Sequence, residues 1–266
     1  MYMRDFGTTV LVATPSYALY MCETAKSLEY PMSDYKLRLG LLGSEGCTPE
    51  MRTQIENGWG LFATDNYGMS ELIGPGVSGE CQERCGLHFN EDYFLPEIVD
   101  PETLEPVADG EIGELVLTTL CREAMPLLRY RTRDLTRVLG RTCPCGRNHV
   151  RIDRMRGRSD DMMVLRGVNI FPIQIEKILM TFPELASNYL ITLTTDADND
   201  NMTVEVELEE LFTDDFRRLQ ELTNRIQRAL KDEILLTPHV KLLPKGTLPV
   251  SEGKAVRVVD KRKVYQ

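Results

Sequence analysis

The predicted fold depends most on the stretch Leu61-Phe62-Ala63-Thr64-Asp65, which is followed by Asn66 and then by Tyr67-Gly68-Met69-Ser70-Glu71. The first five residues are mostly apolar and predict a β-strand, and the Tyr-Gly turn predicts a loop at its carboxyl end. Open α/β sheets usually bind ligands just outside the carboxyl ends of their strands. The stretch therefore predicts an α/β sheet with a binding loop at residues 67–71.

The residues before this stretch predict the rest of the sheet and its helices. Residues 8–13 and 38–43 are apolar runs typical of strands, and residues 15–28 have a helical pattern. Thr48-Pro49-Glu50 predicts the start of a second helix, because proline is favoured in the first turn and glutamate follows it. This alternation of strands and helices is typical of an α/β domain.

The segment 93–139 has a different pattern. Short β-type runs at residues 94–99, 113–119 and 135–139 are separated by proline, glycine and acidic turns. Such spacing predicts an antiparallel sheet or a small β-barrel-like piece.

A domain boundary is predicted near Arg156-Gly157-Arg158-Ser159-Asp160-Asp161, which leaves about a hundred residues for a small domain. We expect a large domain at 1–157 and a small, mobile α+β domain at 158–266. The small domain is predicted to contain a β-hairpin, helices at 172–181 and 213–235, and strands at 189–194, 202–208 and 240–243. One apolar stripe is expected to form the core face of the longer helix. It consists of Phe216, Leu219, Leu222, Ile226, Leu230 and Ile234.

The composition excludes several classes of protein. The chain has 266 residues, of which 42% are apolar and 27% charged, as in ordinary globular proteins of two domains. The net charge of −10 argues against nucleic-acid binding, which needs a basic face. The sequence has no apolar run long enough for a membrane span, and residues 1–7 lack the pattern of a signal peptide. We therefore expect a cytoplasmic protein without a nucleic-acid or membrane partner.

Four of the seven cysteines form two local pairs, Cys81 with Cys85 and Cys143 with Cys145. Without an export signal, metal ligation is a better interpretation of paired thiols than a disulfide. Zn²⁺ prefers four tetrahedral ligands, and the turn at Cys143-Pro144-Cys145 can present two sulfurs to one ion. We predict a structural zinc held by Cys81, His88, Cys143 and Cys145. Free thiols are the alternative; within the zinc interpretation Cys85 can replace a ligand, and His149 is a weaker candidate.

Three distant segments predict nucleotide chemistry when they are taken together. Lys254 lies in the glycine-flanked stretch Ser251-Glu252-Gly253-Lys254-Ala255-Val256-Arg257 and can supply a mobile cation for a phosphate. Glu71 beside the Tyr-Gly turn is a candidate ligand for Mg²⁺. Asp134 in Tyr130-Arg131-Thr132-Arg133-Asp134 can accept hydrogen bonds from the diol of a ribose. These residue types indicate chemistry at ATP.

The chain resembles the adenylate-forming acyl-CoA synthetases over essentially its whole length. Five ordered motifs carry the resemblance, namely Tyr67-Gly68-Met69-Ser70-Glu71-Leu72-Ile73-Gly74-Pro75-Gly76, Arg129-Tyr130-Arg131-Thr132-Arg133-Asp134, Gly157-Arg158-Ser159-Asp160-Asp161-Met162, Arg166-Gly167-Val168-Asn169-Ile170-Phe171-Pro172 and Glu252-Gly253-Lys254-Ala255-Val256-Arg257. The resemblance implies a ligase that activates a carboxylic acid, of the arylacetate kind such as phenylacetate, with ATP and Mg²⁺. It implies an acyl-adenylate intermediate whose acyl group passes to CoA while AMP leaves.

The resemblance also implies roles for individual residues. Glu71 is similar to the carboxylate that anchors Mg²⁺, Ser70 can donate to the α-phosphate, and Asp134 resembles the ribose anchor. Arg158 is similar to an arginine that reaches the nucleotide, and Lys254 to the lysine that stabilises charge at the α-phosphate. A cofactor-binding role on the adenine side or in thioester formation is implied for Ser44, Glu45, Gly46, Tyr67, Gly68, Met69, Arg166 and Gly167. Asp160 lies where the family has its domain hinge.

The acyl pocket is implied at Tyr17, Ile73, Gly74 and Pro75, whose small glycine-rich wall leaves room for a flat ring. Tyr17 is as well explained as a core residue of its helix. The sequence does not separate phenylacetate from indoleacetate, benzoate or a hydroxylated analogue.

Each polar site residue also has a structural interpretation. Glu71 can cap a following helix. Asp134 can be a surface partner of Arg131 or Arg133. Lys254 can be an ordinary solvated lysine.

The chain departs from the family at its beginning, where Gly7-Thr8-Thr9 stands in place of the Ser/Thr/Gly-rich phosphate loop that ends in lysine. We therefore expect 1–157 to be a partial AMP-binding domain without that loop, which holds the leaving pyrophosphate. The alternative function is a non-catalytic remnant, or one half of a split enzyme, that binds nucleotide, CoA or a partner chain. Uncovered sheet edges are expected to favour a homodimer or another association.

Overall fold

The computed structural model describes residues 2–28, 30–196, 199–209, 216–249 and 256–262. Two compact units make up the chain, Met1–Asp160 and Asp161–Gln266. The division falls between Asp160 and Asp161, whereas the sequence analysis placed the domain boundary between residues 157 and 158. In the described part of the chain, no helix combines the length and apolar character needed to cross a membrane.

The described residues of the first unit form three helices and ten strands. The helices are α1 (Tyr2–Asp5), α2 (Pro15–Ser27) and α3 (Pro49–Trp59), with a 3-10 turn at Met32–Asp34. The strands are β1 (Val10–Ala13), β2 (Leu39–Gly43), β3 (Phe62–Met69), β4 (Gly74–Glu80), β5 (Leu87–Phe89), β6 (Phe94–Val99), β7 (Gly113–Thr119), β8 (Tyr130–Thr136), β9 (Val138–Gly140) and β10 (Arg151–Ile152).

The described part of the second unit contains two helices and six strands. They are β11 (Met163–Leu165), β12 (Val168–Ile170), α4 (Pro172–Leu179), β13 (Leu185–Asp196), β14 (Asn199–Leu208), α5 (Phe216–Ile234), β15 (His239–Leu243) and β16 (Val258–Asp260).

A seven-stranded sheet in the order β1-β2-β3-β4-β5-β10-β9 is the framework of the first unit. The pairs β1–β2 and β2–β3 are parallel, with Val10 opposite Leu39 and Gly43 opposite Asn66. From β3 onward the strands pair antiparallel. The prediction of an α/β sheet from the first strands is therefore confirmed, and the carboxyl ends of β2 and β3 lie at one edge.

Helices α2 and α3 pack against each other through small and aromatic side chains. The indole nitrogen of Trp59 donates to the carbonyl of Ala18 at 2.9 Å, and the rings of Trp59 and Tyr35 meet edge to face at 5.4 Å. Thr48 caps α3 by accepting from the amide of Met51 at 3.2 Å, as its position before Pro49 predicts. Both helices therefore begin where the sequence indicates.

The segment that follows forms an open three-stranded antiparallel sheet, β6-β7-β8, and no closed barrel occurs among the described residues. The prediction of a strand at 135–139 was wrong in its bounds. The third strand is β8, because Tyr130 and Arg131 pair with Leu117 and Val116 of β7. A hydrophobic core cluster of this unit contains Leu72, Val77, Leu87, Phe89, Phe94, Ile98, Leu115, Leu117 and Ile152.

The second unit has a hairpin, β11–β12, and a four-stranded sheet in the order β15-β14-β13-β16. The helical stripe of α5 is buried at Leu222, Ile226, Leu230 and Ile234. Phe216 was predicted to belong to this stripe but is 78% exposed, because it lies in the first turn of α5. The predicted start of the helix at Thr213 lies outside the described residues.

A network of buried charges lies beneath the seven-stranded sheet. The side chain of Glu80 is fully buried, and it accepts from Arg52 at 2.7 Å and from Arg154 at 2.8 Å. The backbone amide of Asp65 donates to the same carboxylate at 2.8 Å. Burial and, second, the charge of Glu80 raise the pKa of the Asp65 carboxyl to about 6 against the opposing effect of Arg154.

This raised pKa predicts a pH-dependent stability. A carboxyl whose pKa is higher in the folded state destabilises the fold above that pKa, and the penalty disappears as the pH falls from about 6 to about 4. We expect Asp65→Asn to raise the free energy of unfolding by about 2–3 kcal/mol at pH 8 and to leave it unchanged at pH 4. Urea unfolding at the two pH values measures this, and equal effects at both would contradict it.

Candidate active site

The predicted binding edge lies where β2 and β3 end. Gly43, the last residue of β2, is opposite Asn66, so the loop Ser44-Glu45-Gly46 starts beside Tyr67. The carboxylate of Glu45 accepts from the amide of Ser16 at 2.6 Å, which ties this loop to the start of α2. The residues predicted for the adenine side therefore share one edge of the sheet.

The centre of the candidate site is the hydrogen bond between Tyr67 and Asp134. The phenol of Tyr67 donates to Asp134 Oδ2 at 2.7 Å, and Arg158 Nη1 lies 3.5 Å from Asp134 Oδ1. Burial and the charge of Asp134 raise the pKa of Tyr67 far above its usual range, so the phenol keeps its proton and donates. Asp134 is only 9% exposed. Arg131 and Arg133 instead face Glu114, so the interpretation of Asp134 as their surface partner was wrong.

Arg158 connects this centre to Asp160. Its Nε and Nη2 atoms donate to the two carboxylate oxygens of Asp160, each at 2.9 Å. These hydrogen bonds lower the pKa of Asp160. The backbones of Asp134 and Arg158 also form an isolated antiparallel bridge. The planar guanidinium is thus held at a fixed position beside Asp134.

The residues after Tyr67 form a hairpin rather than the predicted loop at 67–71. Strand β3 continues to Met69, because Gly68 pairs with Pro75 and Met69 with Gly74 of β4. A Cβ atom at residue 68 would lie 2.1 Å from the carbonyl oxygen of Gly74, so only glycine allows the two strands to approach here.

Ser70 and Glu71 lie exposed in the turn at residues 70–73 of this hairpin. The element that follows Glu71 is strand β4 and not a helix, so its interpretation as a helix cap was wrong. The guanidinium of Arg122 donates to the carbonyl of Glu71 and braces the turn. Arg122 was not predicted, because a single arginine between Cys121 and Glu123 carries no pattern.

The residues predicted for an acyl pocket lie on two elements. Tyr17 is on the exposed side of α2, where its ring lies 5.9 Å from that of Tyr20. Ile73 is exposed in the hairpin turn, and Gly74 and Pro75 begin β4. Tyr17 is thus not a core residue of its helix.

In the second unit, Arg166 and Gly167 form the tight turn between β11 and β12. Both have a positive φ, 50° at Arg166 and 79° at Gly167. Arg166 donates to the carbonyl of Asp200 at 3.0 Å and to Asn201 Oδ1 at 2.9 Å. Arg262 donates to the carbonyl of Val164 at 2.7 Å and to Asp200 Oδ2 at 2.9 Å. Lys254 lies outside the described residues.

The four residues predicted as zinc ligands lie together in the first unit. The ligand atoms of Cys81, His88, Cys143 and Cys145 are all within 4.8 Å of one another. A backbone hydrogen bond from Arg147 lowers the pKa of Cys145 to about 7, and burial lowers that of His88. Burial raises the pKa of Cys81 and Cys143. A bound dication deprotonates coordinating thiols outright, so these raised values are compatible with metal ligation.

Comparison with known proteins agrees with this fold. The sequence model of the AMP-binding enzyme family matches residues 1–121, and that of the AMP-binding enzyme C-terminal domain matches residues 167–262. A 2-hydroxyisobutyryl-CoA ligase, solved in the postadenylation state with R3-HIB-AMP, superposes with a TM-score of 0.90 at 25% identity. The match covers 97% of this chain and 56% of that chain. The chain therefore has the fold of the adenylate-forming enzymes, with parts of both AMP-binding domains, which confirms the resemblance found in its motifs.

Within this family the chain is similar to phenylacetate-coenzyme A ligases. It is 43% identical to that of Thermus thermophilus over 278 residues, which cover 99% of this chain and 62% of the relative. It is 42% identical to that of Escherichia coli, with 98% of this chain and 60% of the relative covered. The chain thus spans less than two thirds of the length of these curated relatives.

Proposed function

We propose that this chain provides the AMP-binding part of an AMP-forming acyl-CoA ligase that activates an arylacetic acid, with phenylacetate as its substrate. Similarity to the phenylacetate-coenzyme A ligases of Thermus thermophilus and Escherichia coli supports the reaction and the acid. The proposal includes ATP and CoA as co-substrates. A cytoplasmic location is proposed with it, because paired thiols suit a reducing compartment.

One observation carries the proposal most strongly. Asp134 is a buried carboxylate held by Tyr67 at 2.7 Å and by Arg158 at 3.5 Å, near the edge where β3 ends. A buried carboxylate with about four acceptor positions is suited to accept from the hydroxyls of a ribose. Such an arrangement is suited to a nucleotide at the carboxyl edge of the sheet.

The proposed reaction has two steps. An oxygen of the acid attacks the α-phosphorus of ATP, the bond to the β-phosphate breaks, and an acyl-adenylate and pyrophosphate form. The CoA thiol then loses its proton and attacks the acyl carbon, so that a thioester forms and AMP leaves. Negative charge accumulates at phosphorus in the first step, so fixed cations and donors supply most of the catalysis.

Four residues are proposed to act at the phosphates and at CoA. Lys254 stabilises the charge between the acid and the α-phosphate, and Ser70 donates its hydroxyl nearby. Glu71 is an exposed carboxylate in a turn braced by Arg122, and such a hard oxygen donor fits Mg²⁺. The ion supplies charge neutralisation at the phosphates when it is bound. The turn at Arg166 is proposed to serve thioester formation, and Asp160 to be the hinge residue.

The aryl group is proposed to lie against Tyr17, Ile73, Gly74 and Pro75. The exposed rings and side chains of Tyr17 and Ile73 can offer apolar contact to a flat substrate.

A second candidate function rests on the edge of the sheet. Among the described residues, strand β1 pairs only with β2, and its residues Val10 and Val12 are 41% and 67% exposed. An apolar edge strand favours pairing with another chain. We propose that this edge binds the part of an AMP-binding enzyme that this chain does not span, either as a covalent neighbour or as a separate polypeptide. A homodimer through the same edge is the alternative, and a dimer of the 266-residue chain alone in analytical ultracentrifugation would support it.

In the test, the N-terminal part of the Thermus thermophilus relative is fused to this chain in front of Met1. AMP and thioester are measured with ATP, Mg²⁺, CoA and phenylacetate, and with acetate, benzoate or indoleacetate as controls. We expect equal amounts of AMP and thioester that depend on phenylacetate, from the fusion and from a mixture of the two polypeptides. The relative's part alone is the blank. A folded fusion that binds AMP but releases none from ATP overturns the ligase proposal. If the fusion is active but the mixture of the two polypeptides is not, association in trans is rejected.

A further inference from the structure

A cluster of sulfur and nitrogen ligands connects two loops of the first unit. Cys81 directly follows β4 and His88 lies in β5, so both belong to the β4–β5 hairpin. Cys143 and Cys145 lie in the connection between β9 and β10. Strands β5 and β10 are neighbours, with His88 opposite Arg151, so the sheet brings the two loops together.

Two distances in the cluster match those between the ligands of a tetrahedral metal site. Zinc bonds of about 2.3 Å to sulfur and 2.0 Å to nitrogen place two ligating sulfurs about 3.8 Å apart and a sulfur and a nitrogen about 3.5 Å apart. The sulfurs of Cys81 and Cys143 are 3.7 Å apart, and Cys145 Sγ lies 3.6 Å from His88 Nε2. All these cysteines are free, and 3.7 Å is far longer than a disulfide bond of about 2.05 Å.

We propose that Cys81, His88, Cys143 and Cys145 bind one Zn²⁺ ion as a closed structural site. Three thiolates and an imidazole in a tetrahedron favour zinc over Mg²⁺ or Ca²⁺, which prefer oxygen. Four protein ligands leave no open position, so the ion has no part in the ligase chemistry.

The surroundings of the cluster support both loops. The guanidinium of Arg151 donates to the carbonyl of Cys85 and, at 2.6 Å, to the carbonyl of Thr142. It thereby joins the backbones of the two loops that carry the ligands. Arg147 Nη1 lies 3.5 Å from Cys145 Sγ and offsets part of the negative charge of three thiolates. The amide of Gly146 donates to the carbonyl of Cys143 at 3.0 Å and closes the turn between them.

Cys85 is the competing ligand. Its sulfur lies 3.3 Å from that of Cys143, and it is only partly buried. It is not a member of the group whose atoms all lie within 4.8 Å of one another. The structure therefore assigns the ion to the other four residues and leaves Cys85 as a matched control.

The ion has a definite structural task at this end of the sheet. Strands β5, β9 and β10 have only three, three and two residues. Strands this short contribute few ladder hydrogen bonds, so their pairing alone is weak. A metal that links Cys81 on one loop with Cys143 on the other holds the end of the sheet in register.

Metal content is the first test. The full chain, purified without a metal-affinity tag, is expected to carry about one zinc per chain by inductively coupled plasma mass spectrometry. Cys143→Ser is expected to lose most of it, and Cys85→Ser is expected to keep it. Loss of zinc in both variants would assign Cys85 to the site and overturn the ligand set. If the wild-type chain holds no zinc after it is incubated with Zn²⁺ and then dialysed to remove the excess, the site itself is overturned.

The second test needs no variant. Alkylation of the zinc-loaded chain is expected to spare Cys81, Cys143 and Cys145 but to modify the exposed Cys121. Chelation is expected to remove this protection and to lower the Tm by at least about 5 °C, and added Zn²⁺ is expected to restore both. Equal alkylation with and without zinc would contradict the proposal.

Discussion

Asp134→Asn is expected to weaken the binding of AMP to the 266-residue chain about 10- to 100-fold. The carboxylate is buried and accepts from Tyr67 at the proposed position of the ribose, whose hydroxyls would lose a charged acceptor in the variant. Hydrogen bonds to a charged group contribute about 1.5–3 kcal/mol, and the amide of asparagine replaces one acceptor with a donor. Isothermal titration calorimetry measures the affinity.

Two controls separate a ribose contact from a general disturbance. Tyr67→Phe removes one donor to Asp134 and keeps the ring, so we expect at most about a fivefold loss of affinity. An AMP analogue without the two ribose hydroxyls should bind wild-type chain and Asp134→Asn equally. If the substitution weakens AMP and this analogue by the same factor, Asp134 does not hold the diol.

Glu80→Gln is expected to lower the free energy of unfolding of the first unit by about 3–5 kcal/mol. The side chain of Glu80 is fully buried between Arg52 and Arg154, and Arg52 itself is 5% exposed. Glutamine fits the same space but carries no charge. The substitution therefore leaves two guanidinium groups without the carboxylate that accepts from both.

Urea unfolding followed by tryptophan fluorescence measures this effect selectively. Trp59 is the single tryptophan of the chain and lies on α3, the helix that carries Arg52. Glu97→Gln is the matched control, because Glu97 pairs with Arg129 at the surface and such pairs contribute about 1 kcal/mol or less. A loss for Glu80→Gln no larger than that of the control would show that the buried network is not needed for stability.

Much of the fold follows from local patterns. The apolar run at residues 61–65 becomes the start of β3, and α3 begins at Pro49 as predicted. The stripe of α5 is buried over four of its six members. These elements are predictable because helix caps and side-chain periodicity depend on neighbours within one or two turns.

Other features depend on contacts between distant residues and could not be predicted. Strand β3 continues through Gly68 because β4 pairs with it, which the Tyr-Gly pattern does not show. Glutamate is usually a surface residue, yet the side chain of Glu80 is buried and pairs with Arg52 of α3 and with Arg154. A charged side chain has no periodicity that marks it as buried.

The candidate site shows the same division. The residue types of Cys81, His88, Cys143 and Cys145 were enough to propose a metal site, because few other roles suit paired thiols beside a histidine. The hydrogen bond from Tyr67 to Asp134 joins residues that are 67 positions apart, and only the pairing of β3, β4 and the later strands could reveal it. The chemical roles of these residues were therefore easier to predict than their arrangement in space.

Two arginines fasten the β11–β12 hairpin of the second unit, Arg166 from its tip and Arg262 from beyond β16. A two-stranded ribbon alone is pliable in water. Arg262 links the backbone of Val164 in this hairpin to Asp200 of the four-stranded sheet. These hydrogen bonds restrict the movement of the hairpin tip relative to that sheet. The tip is therefore preorganised for any molecule that binds it. The conformational entropy of the turn is lost during folding and does not have to be lost again on binding.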